Sequence, residues 1–401
     1  MIPEDQRALD ALRLTIRASH TLTADAVPAV IHAAGRALGA HRATAWLVDY
    51  DQVVLTPFGP GRGRSDALAV DSSPAGAAFR GAAVQRVTEG EFQTVWVPMI
   101  DGTARIGALQ LTFPVESSVG DAACCDLAAV TTDLLLTKSR YGDAIEAVRR
   151  RRPLSLSAEI GWPLMPPPSF VTDAVSLAAV MVPATKIAGD AFDYAVDDRT
   201  LAVSILDAMG HSLDATLMAA VAAGALRNGR RQGRSLTEIV RDADTVIQRQ
   251  FGAEQFVTGI IGQLDLPTGA WTWITCGHPP ALIVREGHVV HTLDSVVAPP
   301  LGLGLIGRNP DSDTHQLQAG DRILLYTDGV TEARDRYGEQ FGIDRLAHLA
   351  GRESTADRLT AEALRKLNVA ILAHQHGVLQ DDATTVLIEW RPPTSPDLTC
   401  P

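Results

Sequence analysis

LAVSILDAMGHSLDATLMAAVAAGALRNG, residues 201–229, runs from a short apolar segment through an aspartate and a Gly-containing turn into an Ala-rich amphipathic segment. A strand covered on both faces is apolar nearly throughout, so the pattern reads as a buried strand that delivers Asp207 at its very end, followed by a helix. Three more aspartates stand in comparable places. Asp190 lies in IAGDAFD, Asp328 in LLYTDGV and Asp382 in QDDATTVLIEW, each at one end of a strand-like run and beside a glycine or another small residue. Singly these are weak signals, because TDG and Gly-Asp are common turn sequences and an aspartate pair ahead of a strand often only caps it. Together they predict four carboxylates converging at one edge of a sandwich. Such a cluster repels itself unless cations neutralise it, and an all-oxygen donor set suits hard ions such as Mg²⁺ or Mn²⁺. Two such ions about 4 Å apart generate hydroxide at neutral pH and stabilise an in-line displacement at phosphorus.

The rest of the chain frames that reading. Its 401 residues are enough for roughly two to three domains. With 46% hydrophobic and 20% charged residues, the composition is that of a soluble globular protein with ample core material. A formal net charge of −12 disfavours nucleic acid or an anionic membrane as the main partner, since either would repel the surface. No early apolar segment follows a basic stretch, and no uninterrupted apolar run reaches the roughly 18 residues of a membrane span, so a cytoplasmic protein is expected. Cys124 and Cys125 are adjacent while Cys276 and Cys400 stand far apart. That is neither a disulfide framework nor zinc spacing, and no cysteine is followed by the arginine of the cysteine-dependent phosphatases, so reduced thiols are expected.

Residues 1–19 read as an N-terminal helix, part of a helical pattern over residues 4–38 with Thr23 or Asp25 as a candidate N-cap. RATAWLVD, FQTVWVPMI and RIGALQLTF read as strands, with a Gly/Ala-rich stretch over residues 71–87 between them suited to a short helix and turn beside a strand. This order, above all SPAGAAFRGAAVQRV ahead of VWVPMIDGTARIGALQL, resembles GAF domains, the small α/β sensor modules, over residues 20–114. The resemblance is compatible with a small-molecule ligand or with a dimerisation module that binds none, because family motifs do not fix a ligand.

Residues 115–152 turn helical. Leu127, Leu134, Tyr141 and Val148 recur every seven residues, with Val130 and Ile145 nearby. This is the seam of a helix that pairs with another helix, which predicts a coiled-coil-like linker and a homodimer formed through it; a single helix lying on its own domain fits the same spacing. RRRRP, residues 149–153, places cations where the helix macrodipole favours them, as a solvated cap, and Pro153 stops the helix. GWPLMPPPSF then reads as a Pro-rich hinge.

Beyond Val175 the pattern changes to many short strands: SLAAVMVP, TLAVSILD, FVTGIIGQLD, AWTWITC, PALIVRE, DRILLYTDG and DATTVLIEW. Several are apolar nearly throughout, which predicts two stacked sheets flanked by helices. Two helices fall between the second and third strands, the later one opening with Ser235 and Glu238 in capping-box spacing, and another helical pair spans about residues 342–374. PATKIAGDAFDY, LDAMGH, TCGHPPALI, PPLGL, YTDGVTEARD and DDATTVLI, taken in order, resemble the metal-dependent PPM/PP2C protein phosphatases of the bacterial SpoIIE/RsbU branch, over residues 153–392. The resemblance implies that Asp190 and Asp207 bridge or bind two divalent ions, with the backbone carbonyl of Ala208 as a further ligand, while Asp328 and Asp382 hold the second ion. The family's Gly-Gly-Asp is Ala188-Gly189-Asp190 in this chain, and its glycine after the histidine is Ser212; both changes touch turn geometry and no ligand oxygen.

Other conspicuous residues have plainer readings. RDADTV, residues 241–246, matches the nucleophile signature of aspartyl-phosphate phosphatases but lies in helical periodicity, so it reads as a chance match. His374 and His376 read as solvent-facing at a helix end, His278 and His211 as hydrogen-bonding residues of motif turns, Trp271 and Trp273 as sheet packing, and residues 393–401 as a disordered tail. The expectation is therefore an α+β chain. A GAF-like α/β sensor domain and a helical linker precede a C-terminal α-β-β-α sandwich of PP2C type. Its expected work is Mn²⁺- or Mg²⁺-dependent hydrolysis of phosphoserine or phosphothreonine by an ion-activated hydroxide, on a regulatory protein that the resemblance suggests is an anti-sigma-factor antagonist. A catalytically idle, ligand-sensing scaffold on the same fold is the alternative, and retention of all four aspartates counts against it.

Overall fold

The computed structural model describes residues 3–60, 64–102, 104–117, 119–182, 189–210, 212–294, 297–307, 310–352, 360–375 and 381–392. The chain divides into two compact units, Met1–Pro153 and Leu154–Pro401.

In the N-terminal unit the helical pattern over residues 4–38 divides into α1 (Glu4–Ser19) and α2 (Val27–Leu38), joined by a 3₁₀ turn at Ala24–Ala26 whose N-cap position is Thr23. Strands β1 (Arg42–Val48), β2 (Val54–Pro57) and β3 (Leu68–Ala69) lead into helix α3 (Pro74–Gly81), followed by β4 (Gln85–Glu89), β5 (Phe92–Asp101) and β6 (Ala104–Pro114). The strands form one antiparallel sheet in the order β3-β2-β1-β6-β5-β4. Period-two alternation sorts its side chains: Ala45, Leu47, Val97 and Leu109 join the core beneath the helices, whereas Trp46, Val48 and Trp96 join Phe79 on the α3 face. There the Trp46 and Trp96 rings meet edge-on, 5.5 Å apart.

The helix expected over residues 115–152 is not continuous. Helix α4 (Asp121–Lys138) ends in a 3₁₀ turn, Ser139–Tyr141, and after Gly142 the chain forms only the short α5 (Ala144–Arg149). Leu127, Leu134 and Ile145 are each at most 3% exposed inside the N-terminal core, while Tyr141 is 76% exposed. A seven-residue repeat identifies one apolar face without saying what covers it; α4 packs on β5, α1 and α2 of its own domain, so Leu127 and Leu134 are not free to form a seam with a second copy. The arginine run is likewise more than a solvated cap. Arg149 donates to the Val48 carbonyl and lies over the Tyr50 ring, and Arg151 pairs with buried Asp49 at 3.7 Å.

The C-terminal unit begins with α6 (Leu156–Gly161), β7 (Ser169–Val171) and β8 (Val175–Val182), then β9 (Asp190–Val196) and β10 (Thr200–Ala208). Helices α7 (Leu213–Arg231) and α8 (Leu236–Phe251) precede β11 (Val257–Asp265), β12 (Ala270–Cys276), β13 (Ala281–Arg285), β14 (His288–Leu293), β15 (Asp313–Gln316) and β16 (Arg322–Tyr326). The chain closes with α9 (Asp328–Thr331), α10 (Ile343–Arg352), α11 (Thr360–His374) and β17 (Ala383–Trp390). Two antiparallel sheets result, β15-β12-β11-β10-β9 and β14-β13-β16-β17-β8-β7. Phe192, Trp271, Trp273 and Val386 fill the space between them. Helices α7 and α8 cover the five-stranded sheet and α10 and α11 the six-stranded one, an α-β-β-α sandwich.

Ser235 and Glu238 close the expected capping box at the start of α8, a feature worth about 1 kcal/mol. The Pro-rich segment is more ordered than a hinge. Trp162–Leu164 forms a 3₁₀ turn, Trp162 and Met165 pack against the inter-sheet core, and Tyr194 donates its hydroxyl to the Pro167 carbonyl. Arg227 of α7 donates to the Leu164 carbonyl and, with Arg230, pairs with buried Asp193 of β9. The tail at 393–401 lies outside the described residues.

Candidate metal centre

Strand register brings the first two carboxylates together. Asp190 opens β9 and Asp207 stands next to last in β10, and the two are direct cross-strand partners. By alternation Asp207 shares the face of Ile205 and Asp190 that of Phe192, both of which point between the sheets. The second sheet supplies the others: Asp328 opens α9 directly after β16, and Asp381 and Asp382 immediately precede β17.

Hydrogen bonds join the two sheets at this end. The Thr327 hydroxyl donates to Asp190 Oδ2 at 2.8 Å and accepts from the Thr384 amide at 2.9 Å, while Asp382 Oδ2 accepts from the Gly189 amide at 2.9 Å. His278 makes a third link. Its Nε2–H donates to the Tyr326 carbonyl of β16 at 3.1 Å, which leaves Nδ1 to accept from the Thr258 hydroxyl of β11 at 2.9 Å. Thr258 is the cross-strand partner of Asp207, so this imidazole ties the strand beside Asp207 to β16, the strand that leads into Asp328.

Two glycines permit the close approaches. A Cβ at Gly329 would come within 1.9 Å of the Asp382 carbonyl, and one at Gly189 within 2.6 Å of the Ala208 carbonyl. The turn after Ala208 reverses at Gly210, with φ of 91°.

The electrostatics are those of crowded like charges. Burial first, then Asp207 and Asp382, hold the Asp190 carboxyl well above its ordinary range. Asp207 is pushed up to about 7 by burial and by Asp328, Asp381 and Asp382, and burial with Glu332 and Asp381 raises Asp328. The carboxylates are within electrostatic reach of one another, yet among the described residues no group of three or more His, Cys, Asp or Glu side chains is gathered tightly enough to hold a metal ion. The arrangement is a convergent acidic site, looser than a closed coordination shell.

Asp381 and Thr327 are absent from the sequence-based set. Of the Asp-Asp pair at the strand entry the motif points to one member only, and both act on Asp207; a threonine ahead of TDG carries no spacing signal at all. Ala188, His211 and His376 lie outside the described residues, while Ser212 occupies the N-cap position of α7. RDADTV lies on α8, where Asp242 pairs with Arg234. Buried Asp244 accepts from the amides of Gly302 and Gly304 at 2.7 and 3.1 Å. His374 is half-buried rather than solvent-facing, edge-on to the Phe341 ring and in contact with Arg345 and the Glu339 carbonyl, and Trp271 and Trp273 are buried between the sheets.

Residues 197–391 match the model of the family described as stage II sporulation protein E (SpoIIE). The phosphoserine phosphatase RsbU of Bacillus subtilis is 24% identical over 222 residues, covering 54% of this chain and 63% of that protein. The phosphoserine phosphatase RsbP of the same organism is 26% identical over 187 residues, covering 45% and 46%. Among solved structures, the RsbU and RsbW domains of a Mycobacterium tuberculosis protein are 27% identical with a TM-score of 0.48, covering 55% of this chain and 63% of that one. The chain spans less than two thirds of the length of these curated relatives.

Proposed function

We propose that this chain, whose C-terminal unit is a SpoIIE/PP2C-type phosphatase domain similar to those of RsbU and RsbP, is a metal-dependent protein serine/threonine phosphatase controlled by its N-terminal domain. Its substrate is a phosphorylated regulatory protein, of the anti-sigma-factor antagonist kind that the resemblance to this branch suggests. The observation that carries the reading is the convergence of Asp190, Asp207, Asp328 and the Asp381–Asp382 pair from two sheets onto one edge, where like charge raises the proton affinity of Asp190, Asp207 and Asp328.

The donor chemistry suits divalent cations. The donors are hard oxygens, they are partly desolvated, and the charges acting on Asp207 are all of its own sign. Mg²⁺ and Mn²⁺ are the ions found with PP2C relatives. Asp190, Asp207 and the Ala208 carbonyl would hold one part of a two-ion site, and Asp328 with Asp382 the other. When bound, such ions lower the pKa of water and neutralise charge that develops on phosphoryl oxygens. The protein orients the donors: Thr327 fixes one oxygen of Asp190, the Gly189 amide fixes one oxygen of Asp382, and His278 holds the two sheets in register. In the reaction a water oxygen bonds to phosphorus as the bond to the seryl or threonyl oxygen breaks. The hydroxyl leaves with a proton and inorganic phosphate is released, without a phosphoenzyme.

The deciding experiment is hydrolysis of p-nitrophenyl phosphate and of a phosphoserine peptide by the full chain with Mn²⁺. Turnover should vanish on chelation and return when Mn²⁺ is added back. Turnover that survives thorough chelation would sink the two-ion reading.

A further inference from the structure

The N-terminal unit holds a cleft of about 690 Å³ between the C-terminal halves of α1 and α4. Its volume is in the range of small-molecule sites, roughly 300 to 1,000 Å³. The cleft lies on the helical side of the sheet; the opposite face is occupied by Trp46, Phe79 and Trp96, each at most 7% exposed. Ile16, Leu22, Val130 and Leu134 supply an apolar wall. Beside them stands Lys138, in the last turn of α4, only 7% exposed.

Lys138 is the unusual member. Among the described residues its ammonium has no hydrogen bond or ion pair, and its one close partner is the exposed Tyr141 ring, 5.7 Å away. Asp133, also lining the cleft, is exposed and forms no ion pair with it. Its aliphatic stem is buried while its ammonium reaches the cleft with no anion beside it, so the cleft carries one uncompensated positive charge above an apolar wall. Neighbouring hydroxyls do not compete for the role of donor to an anion: Thr15 and Ser19 donate theirs to the carbonyls of Ala11 and Ile16 within α1. Lys138 therefore dictates the polarity of what enters, and the apolar wall dictates its body.

We propose that the α1–α4 cleft is a binding site for a small amphipathic anion, a carboxylate, sulfonate or phosphate carried on an apolar body, with its charged end at Lys138. The inference requires nothing of the catalytic domain, and its test reads binding directly. The full-length chain is titrated with 8-anilinonaphthalene-1-sulfonate, a fluorescent sulfonate on fused apolar rings. One saturable site per chain is expected. Lys138→Met, which keeps the apolar stem, should weaken binding by about tenfold or more, while Lys138→Arg retains it. Ser19→Trp, which fills the cleft without touching the charge, should abolish binding; circular dichroism and melting confirm that each variant is folded. Decanoate and decyl phosphate should displace the dye and decanol should not. Non-saturable binding, equal affinity in the folded Lys138→Met variant, or displacement by decanol as effective as by decanoate would overturn the proposal. So would a dimer in light scattering that Ser19→Trp dissociates, because a second copy would then occupy the cleft.

Discussion

Asp207 shows most directly how a single side chain can be read from sequence. An apolar run ending in aspartate leaves few explanations, and strand register then pairs that aspartate with Asp190. The expected outcome of Asp207→Asn is a folded protein whose Mn²⁺-dependent hydrolysis falls by at least about 100-fold, since loss even of residues that merely orient a ligand costs 10- to 100-fold. Proton linkage gives a second check. The metal-free Asp207 carboxyl, pushed up to about 7, keeps a proton below that pH which an ion must displace. Mn²⁺ affinity should therefore rise as pH increases through 7, with measurable proton release in calorimetry run in buffers of different ionisation enthalpy. His278 provides a pH effect on stability rather than on metal binding. Burial pushes its imidazole down to about 4, below the ordinary 6.5 of the unfolded chain, so between those values the unfolded state binds the extra proton. Its contribution is fully present above pH 6.5 and is lost as pH falls towards 4. Between pH 7 and pH 5, His278→Gln should lose about 2 kcal/mol less unfolding free energy than the wild type, measured by denaturant melts at both values. What was illegible at this scale were Thr327 and Asp381, whose roles exist only once β16 and β17 are laid side by side.

Among the elements, strands and caps were read more reliably than the destinations of apolar faces. TLAVSILD and DATTVLIEW became β10 and β17 because both of their faces are covered, one by the facing sheet and one by helices. The seven-residue spacing from Leu127 to Val148 carried less information than its regularity suggests. Gly142 interrupts the helix, and the face that the spacing defines is consumed by β5, α1 and α2. Helix α8 resolves the ambiguity of RDADTV in an unexpected way. Asp242 is at the surface, paired with Arg234, so Asp242→Asn should leave turnover and stability nearly unchanged and no acid-stable phosphoenzyme should be recovered. Asp244, on the buried side of the same helix, holds Gly302 and Gly304, both at positive φ, by their amides. Asp244→Ala leaves those two amides without their acceptor and should cost roughly 2 to 3 kcal/mol in urea melts. If Asp242→Asn and Asp244→Ala were equally costly, the division of labour on α8 would be wrong.

For the whole molecule, the two-unit division was legible because each unit has its own periodicities and its own core, and the boundary at Pro153 coincides with the proline that ends the helical stretch after the arginine run. The cleft beside Lys138 was not, since it is enclosed by α1 and α4, which are distant in sequence, and no local pattern reports the space between two helices. Separate cores predict separate unfolding: residues 154–392 expressed alone should fold and melt cooperatively, and calorimetry of the full chain should need two transitions. A featureless melt of the fragment would contradict this. The distribution of indoles makes the two events optically distinct. Trp162, Trp271, Trp273 and Trp390 all belong to the inter-sheet core of the C-terminal unit, and the N-terminal unit contains only Trp46 and Trp96, stacked edge-to-face at 68°. Two chromophores that close and that steeply inclined exchange excitation, so their transitions split into a bisignate circular-dichroism couplet. Disappearance of that couplet marks the moment the N-terminal sheet opens, while the red shift of the bulk emission follows the C-terminal core, so one unlabelled sample carries a separate spectral signature for each half of the chain.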